Sequence, residues 1–154
     1  MSDIYKKVSK EELELLSHKD IVRFALFCAE QMRDKWENIP ECVNAINIVE
    51  RWLEGKATEE ECWKATNATN AAYATYAATN AADAAAYAYS AYSAYVAYVA
   101  YASAYAAYAA DAAVYVAAYA SAGKPHLIEA QWEYYNELLH FDDIAEKALL
   151  GETV

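Results

Sequence analysis

Apolar side chains recur at helical spacing through the first 55 residues. In DIVRFALFCAEQMRDKW they return every three or four positions, which predicts a helix with one apolar face that stops before Pro40. That face comprises Ile21, Phe24, Ala25, Cys28, Met32 and Trp36. Pro40 suits the first position of a second helix, and Gly55 suits the residue just beyond its end. The apolar stripe of this second helix is Val43, Ile46, Val49 and Leu53.

Polar pairs with the spacing of capping boxes mark three helix starts. In a capping box a Ser or Thr side chain accepts from the backbone three residues on, and the acidic side chain there reaches back. The pairs are Ser9 with Glu12, Ser17 with Asp20, and Thr58 with Glu61.

Residues 65–123 form a low-complexity segment of 29 alanines and 12 tyrosines among 59 residues. Its only charged side chains are Asp83 and Asp111. Alanine is the strongest helix former, and the segment lacks the high charge and low hydrophobicity of a disordered chain. A single helix of this length would extend about 90 Å, which is too long for so small a domain. We therefore expect interruptions near Thr79-Asn80 and Ala102-Ser103.

The chain restarts at Lys124-Pro125, and HLIEAQWEYYNELL predicts a further helix. Asp142 is then expected to cap a last short helix, DIAEKALLG, which Gly151 closes. Because strand patterns are scarce, the sequence predicts an all-α fold, a compact bundle of about six to eight helices with an Ala/Tyr-rich core. We expect one domain over 1–154, with charged amphipathic helices in 1–64, Ala/Tyr-rich helices in 65–123 and acidic helices in 124–154.

Most tyrosines of the Ala/Tyr-rich segment fall on one side of a helix at 100° per residue. Four of them form the densest run and are candidate binding residues: Tyr98, Tyr101, Tyr105 and Tyr108. Two interpretations remain open. The phenols fill a tight helical core, or some of them line a groove or an interface between copies of the chain, where tyrosine is enriched.

The formal net charge is −11, and acidic residues outnumber basic ones on both sides of the Ala/Tyr-rich segment. Such a chain is not drawn to DNA or to anionic membranes by long-range attraction, so a charged partner would be basic. The alternative is that the charge serves solubility alone.

MSDIYKKVSKEELELL lacks the apolar core of a signal peptide, and the uncharged run 84–110 contains several serines and no flanking cations. With three widely spaced cysteines, we expect reduced thiols, no membrane span and a cytoplasmic location.

No spacing of reactive side chains points to catalysis. His18, His126 and His140 are scattered, and the 3 glycines form no phosphate-binding loop. HFDD at 140–143 has the composition of an acid–base cluster, but a helix start capped by Asp142 or Asp143 accounts for it. We therefore expect no enzyme activity, no metal site and no cofactor.

Two motifs followed by an alanine-rich tail carry a resemblance to a known family. RFALFCAEQM contains Cys28-Ala29-Glu30, and AINIVERWLEGKATEEECWKAT contains Trp52-Leu53-Glu54-Gly55. In this order they resemble a family of predicted immunity proteins from bacterial polymorphic-toxin systems, with relatives that look to be phage-borne. The resemblance covers residues 17–122 and implies an all-α inhibitor that works by binding. The chain departs from the family at NIPECVNA, which replaces a charged stretch, and in the tail, where tyrosine replaces histidine and arginine.

Three functions fit these observations. The first is an inhibitory binding protein that neutralises a toxin or immune effector by occluding it. The second is a sponge for a nucleotide-like signalling molecule, with tyrosines stacking on the base. Its phosphates would be held at helix N-termini or by basic residues outside the tail, such as Arg23, Arg33, Arg51 or Lys64. The absence of Lys and Arg from residues 65–123 weighs against it. The third is a structural module that self-assembles through Tyr/Ala faces.

The tyrosine pattern predicts that the protein is an oligomer, most simply a dimer. The tyrosines cover more of the helix circumference than one small core can bury. Apolar patches of that size rarely stay exposed. Light scattering at micromolar concentration should give twice the 17.1 kDa of one chain. A clean monomer mass would contradict this prediction.

Overall fold

The computed structural model of this protein describes residues 6–79, 106–122 and 124–149. These residues form seven helices, and no strand occurs among them, which confirms the predicted all-α bundle. The helices are α1 (Lys10–Leu13), α2 (His18–Glu30), α3 (Arg33–Trp36), α4 (Pro40–Leu53), α5 (Glu59–Thr79), α6 (Ala106–Ala120) and α7 (His126–Leu149). The interruption predicted near Ala102-Ser103 lies outside the described residues, as does Asn80 at the other predicted interruption.

Two of the predicted capping boxes are complete. At α1 the Glu12 amide donates to Ser9 Oγ at 3.2 Å, and the Ser9 amide donates to the Glu12 carboxylate at 3.2 Å. The same reciprocal pair joins Thr58 and Glu61 before α5, at 3.1 and 3.2 Å. At α2 Ser17 is the N-cap and accepts from the Asp20 amide, but the Asp20 carboxylate pairs with Arg23 at 2.6 Å.

The end of α4 is a Schellman turn around Gly55. Gly55 has a φ of 76°, which glycine adopts without steric cost. The Lys56 amide donates to the Arg51 carbonyl at 2.8 Å, and the Gly55 amide donates to the Trp52 carbonyl at 3.0 Å. The Arg51 guanidinium donates to the Lys56 carbonyl at 3.0 Å, so Arg51 holds this turn closed.

The prediction of one continuous helix before Pro40 was wrong, because the chain turns between α2 and α3. The Met32 amide donates to the Ala29 carbonyl at 3.1 Å, which tightens the end of α2 to a three-residue spacing. The chain then folds back, and the Trp36 indole N–H also donates to the Ala29 carbonyl, at 2.8 Å. Trp36 is only 1% exposed. Burial of this large ring compensates for the interrupted helix.

A second correction concerns the C-terminal helices. α7 is continuous from His126 to Leu149, so neither Asp142 nor Asp143 starts a new helix. No glycine or proline lies between those ends, and aspartate within a helix costs only a few tenths of a kcal/mol, up to about 0.7, relative to alanine. A side chain with capping chemistry acts as a cap only where the backbone leaves the helix.

The core is assembled where α2 packs against α6, the most extensive contact between described helices. α6 contributes an alanine face that is at most 4% exposed: Ala109, Ala110, Ala113, Val116, Ala117 and Ala120. α2 contributes larger residues and small ones together: Ile21, Val22, Phe24, Ala25, Cys28 and Ala29. Small side chains on both helices let the two backbones approach closely, while Phe24 and Ile21 fill the space beside them.

A second contact joins α4 and α5. α4 buries Cys42, Ala45, Ile46 and Val49, whereas Val43 and Leu53 of the predicted stripe are only half-buried. The buried face of α4 therefore includes the small residues Cys42 and Ala45 in place of the predicted Val43 and Leu53. α5 buries Cys62, Ala65, Thr66 and Thr69 at the spacing of one helix face. The Thr69 hydroxyl donates to the Ala65 carbonyl at 2.9 Å and so satisfies its own polar group inside this contact.

α7 is fixed to the bundle by polar contacts as well as by packing. The Gln131 side chain is fully buried, and its amide nitrogen donates to the Ala117 carbonyl and to Gln31 Oε1, each at 3.0 Å. The Gln31 amide nitrogen donates to the Leu127 carbonyl at 3.2 Å. The Tyr135 hydroxyl donates to the Glu12 carbonyl at 2.8 Å. These bonds join α7 to α1, to the end of α2 and to α6.

Of the described tyrosines, one lies in the core and another lies on the surface. Tyr135 on α7 is 3% exposed and belongs to the core. Tyr115 on α6 is 56% exposed, since the buried side of α6 is its alanine face. The core near α6 is therefore alanine set against aliphatic and aromatic residues from the N-terminal helices. Most of the tyrosines of the Ala/Tyr-rich segment lie outside the described residues or are described by backbone alone.

The alanine face predicts a sharp response to added volume. Ala113→Leu should lower the free energy of unfolding by about 1–3 kcal/mol, because Ala113 is fully buried and the extra carbons must displace neighbouring side chains. Urea denaturation measures the effect. The matched control is Ala68→Leu on the exposed side of α5, which should change it by less than about 0.5 kcal/mol. Equal effects at the two positions would contradict close packing of α2 and α6.

Candidate functional site

The residues singled out in the sequence fall in three different settings. Tyr98, Tyr101 and Tyr105 lie outside the described residues, and only the backbone of Tyr108 is described, in α6. Arg51 closes the turn after α4, which is a structural task. Arg23 lines a pocket between α2 and α7, and this pocket is the strongest candidate site among the described residues.

We call this site the α2/α7 pocket. It has a volume of about 330 Å³. Its walls are Asp20 and Arg23 from α2, and Tyr134, Glu137, Leu138 and Phe141 from α7. Leu138 is 5% exposed and forms part of the core, whereas Glu137 and Phe141 are exposed. The pocket therefore has an apolar base and a rim that a partner can reach.

Aromatic rings form the α7 side of the pocket. Phe141 is 63% exposed, so most of its ring is accessible from solvent. The Tyr134 ring stacks on Phe27 of α2, with centroids 4.6 Å apart and planes 11° from parallel. That stacking holds the Tyr134 ring in one orientation at the pocket wall.

The α2 side of the pocket is an ion pair. Arg23 Nη1 lies 2.6 Å from Asp20 Oδ1, and the Asp20 side chain is only 7% exposed. The Ser17 cap and the first turn of α2 hold Asp20 in place, where the helix dipole favours a negative charge. The Arg23 charge is therefore compensated before any ligand arrives.

An acidic row runs along α7 beside the pocket. Glu129, Glu133 and Glu137 recur every four residues, within about 80° of one another around the helix. All three are exposed, and none forms an ion pair with another described residue. Like charges at this spacing destabilise a helix by about 0.2–0.5 kcal/mol per pair. A cationic partner would relieve that repulsion.

The pKa of the Tyr134 hydroxyl reflects burial first and the charges of the pocket second. Burial is the largest cause that raises the pKa of its hydroxyl above the ordinary value. The positive charge of Arg23 lowers the pKa, while Asp20 and Glu137 raise it. A tyrosine hydroxyl is neutral near pH 7 and can donate a hydrogen bond, and the upward shift leaves this unchanged.

Reactive side chains are not gathered at this pocket. Among the described residues, no three His, Cys, Asp or Glu side chains lie together as metal ligands would. Cys28, Cys42 and Cys62 are at most 1% exposed. Burial raises the pKa of Cys28 well above its ordinary value, and burial with Glu61 and Glu59 raises that of Cys62 to about 11. A thiol that is both buried and protonated is a poor nucleophile.

Sequence reasoning missed Tyr134, Glu137 and Phe141 as site residues. The signal was their spacing of three and then four residues, which aligns them on one side of α7. Ending the predicted helix at Leu139 placed Phe141 outside it and hid the alignment. Asp20 was taken only as a cap, whereas it also positions Arg23.

Comparison of this chain with protein-family models, with curated proteins and with solved structures found no match. Within the described ranges, no helix combines the length and the apolar character that crossing a membrane requires. Interpretation of the site therefore depends on the geometry and charges of the pocket itself.

The cysteine environments predict slow reaction with thiol reagents. At pH 8 the folded protein should react with Ellman's reagent far more slowly than the guanidinium-denatured protein, in which the thiol pKa returns to about 8.5. The denatured sample should titrate three thiols, matching the 3 cysteines of the sequence. Rapid reaction of a folded sample, with its helicity checked by circular dichroism, would contradict the burial described here.

Proposed function

We propose that this chain is a non-enzymatic inhibitory binding protein of the immunity type, which sequesters a basic protein such as a toxin or an immune effector. The observation that carries the proposal is the α2/α7 pocket with the acidic row beside it. The exposed Phe141 offers apolar contact area to a partner, and the exposed carboxylates beside it offer electrostatic attraction to a basic one.

The charges of the pocket favour a cation over a phosphate. Asp20 and Glu137 contribute two negative charges, and Arg23 contributes one positive charge that is already paired with Asp20 at 2.6 Å. The neighbouring Glu129 and Glu133 add to the negative potential. Such a surface increases the association rate with a basic protein and repels a nucleotide.

The acidic row gives a direct test of the basic partner. A fluorescent peptide rich in lysine and arginine should bind the protein at low salt, with an affinity that falls as salt is added. Glu129→Gln with Glu133→Gln should weaken binding by about two- to fivefold, the effect of losing exposed ion pairs. Fluorescence anisotropy measures the affinity.

The matched control removes the same charge elsewhere. Glu50→Gln with Glu60→Gln changes exposed carboxylates on α4 and α5 and should leave the affinity close to that of the parent protein. Equal weakening in both double variants would show attraction to net charge alone and would overturn the proposed surface. No binding of the peptide by the unaltered protein would overturn the basic partner itself.

A further inference from the structure

The α2/α7 pocket has room for a side chain of a partner. Its volume of about 330 Å³ lies at the lower end of the range of about 300–1,000 Å³ that small-molecule pockets span. Glu137 and Phe141 at its rim are exposed, so a side chain that projects from a partner's surface can enter between them. The buried Leu138 limits how deep such a side chain can reach.

The aromatic walls favour a flat cation. The Tyr134 ring is held nearly parallel to Phe27, and Phe141 lines the same pocket two helical turns further along α7. A guanidinium is planar, weakly hydrated and stacks on aromatic faces. An ammonium is compact and strongly hydrated, so it loses more on leaving water for an aromatic wall.

The polar groups of the pocket add the complementary charge. Glu137 forms no ion pair with another described residue, and a carboxylate can accept a forked pair of N–H donors. Arg23 Nη1 donates to Asp20 Oδ1 at 2.6 Å, and no ion pair joins Arg23 to Glu137. The pocket thus places the Glu137 carboxylate beside two aromatic side chains, Tyr134 and Phe141.

We propose that the α2/α7 pocket receives an arginine side chain of the protein partner. The guanidinium stacks on the aromatic wall formed by Tyr134 and Phe141 and donates to the Glu137 carboxylate. This inference rests on the proposed function, since it names the residue of a basic partner that the surface selects. The acidic row supplies long-range attraction to any cation, and the pocket supplies the preference for arginine over lysine.

Three labelled peptides test the preference. They share the same lysine-containing flanks and carry arginine, lysine or citrulline at the centre. The arginine peptide should bind about fivefold more tightly than the lysine peptide, as expected for one cation–π contact of moderate strength. Citrulline, which has the shape of arginine without its charge, should bind at least as weakly as lysine.

Variants of pocket residues test whether the preference for arginine over lysine arises in the α2/α7 pocket. Phe141→Ala and Glu137→Gln should each bring the arginine peptide close to the lysine peptide, while leaving the melting temperature nearly unchanged because both side chains are exposed. The matched control is Leu15→Ala, which removes another exposed apolar side chain, 68% exposed and outside the pocket. This control should keep the preference intact.

The outcomes separate the two proposals. Equal affinity for the arginine and lysine peptides, with both bound, would overturn the arginine pocket and leave the basic partner standing. Binding of neither peptide would overturn both. A preference for arginine that survives Phe141→Ala and Glu137→Gln would overturn the assignment to this pocket, and tight binding of the citrulline peptide would overturn the role of charge.

Discussion

The contact between α2 and the alanine face of α6 provides the surface on which α1 and α7 pack. Alanine contributes little burial by itself, but its small side chain brings two backbones close enough for many weak contacts to act together. Phe24 and Ile21, both fully buried, supply the larger apolar area beside that contact. α7 then packs on both α2 and α6, so its position depends on how closely those two helices lie.

Buried hydrogen bonds determine where α7 lies along that surface. A continuous apolar face would allow α7 to slide, whereas the Gln131 amide is satisfied only where the Ala117 carbonyl and Gln31 are both within reach. Gln131 Oε1 is buried and accepts no hydrogen bond from a described residue, which costs stability. The pocket walls on α2 and α7 therefore face each other in one register, and specificity of position is gained at the expense of some stability.

Local features were predicted well from the sequence, and features that depend on distant residues were not. The caps at Ser9 and Thr58 and the turn at Gly55 depend only on residues a few positions away. Short sequence motifs therefore predicted them. The end of α2 was not predicted. It depends on Trp36 folding back and on Gln31 donating to the Leu127 carbonyl, 96 positions away. The pocket was missed for the same reason, since neither of its walls is a recognisable motif alone.

The distance in sequence between the two pocket walls has a consequence during synthesis. Asp20 and Arg23 leave the ribosome long before Tyr134 and Phe141 are made, because residues 24–133 must be translated in the interval. Contacts of such large sequence separation form late, after the entropy of closing the intervening chain has been lost. A nascent chain therefore lacks this pocket until α7 has emerged and docked, so a formed pocket marks a chain that has already completed its fold.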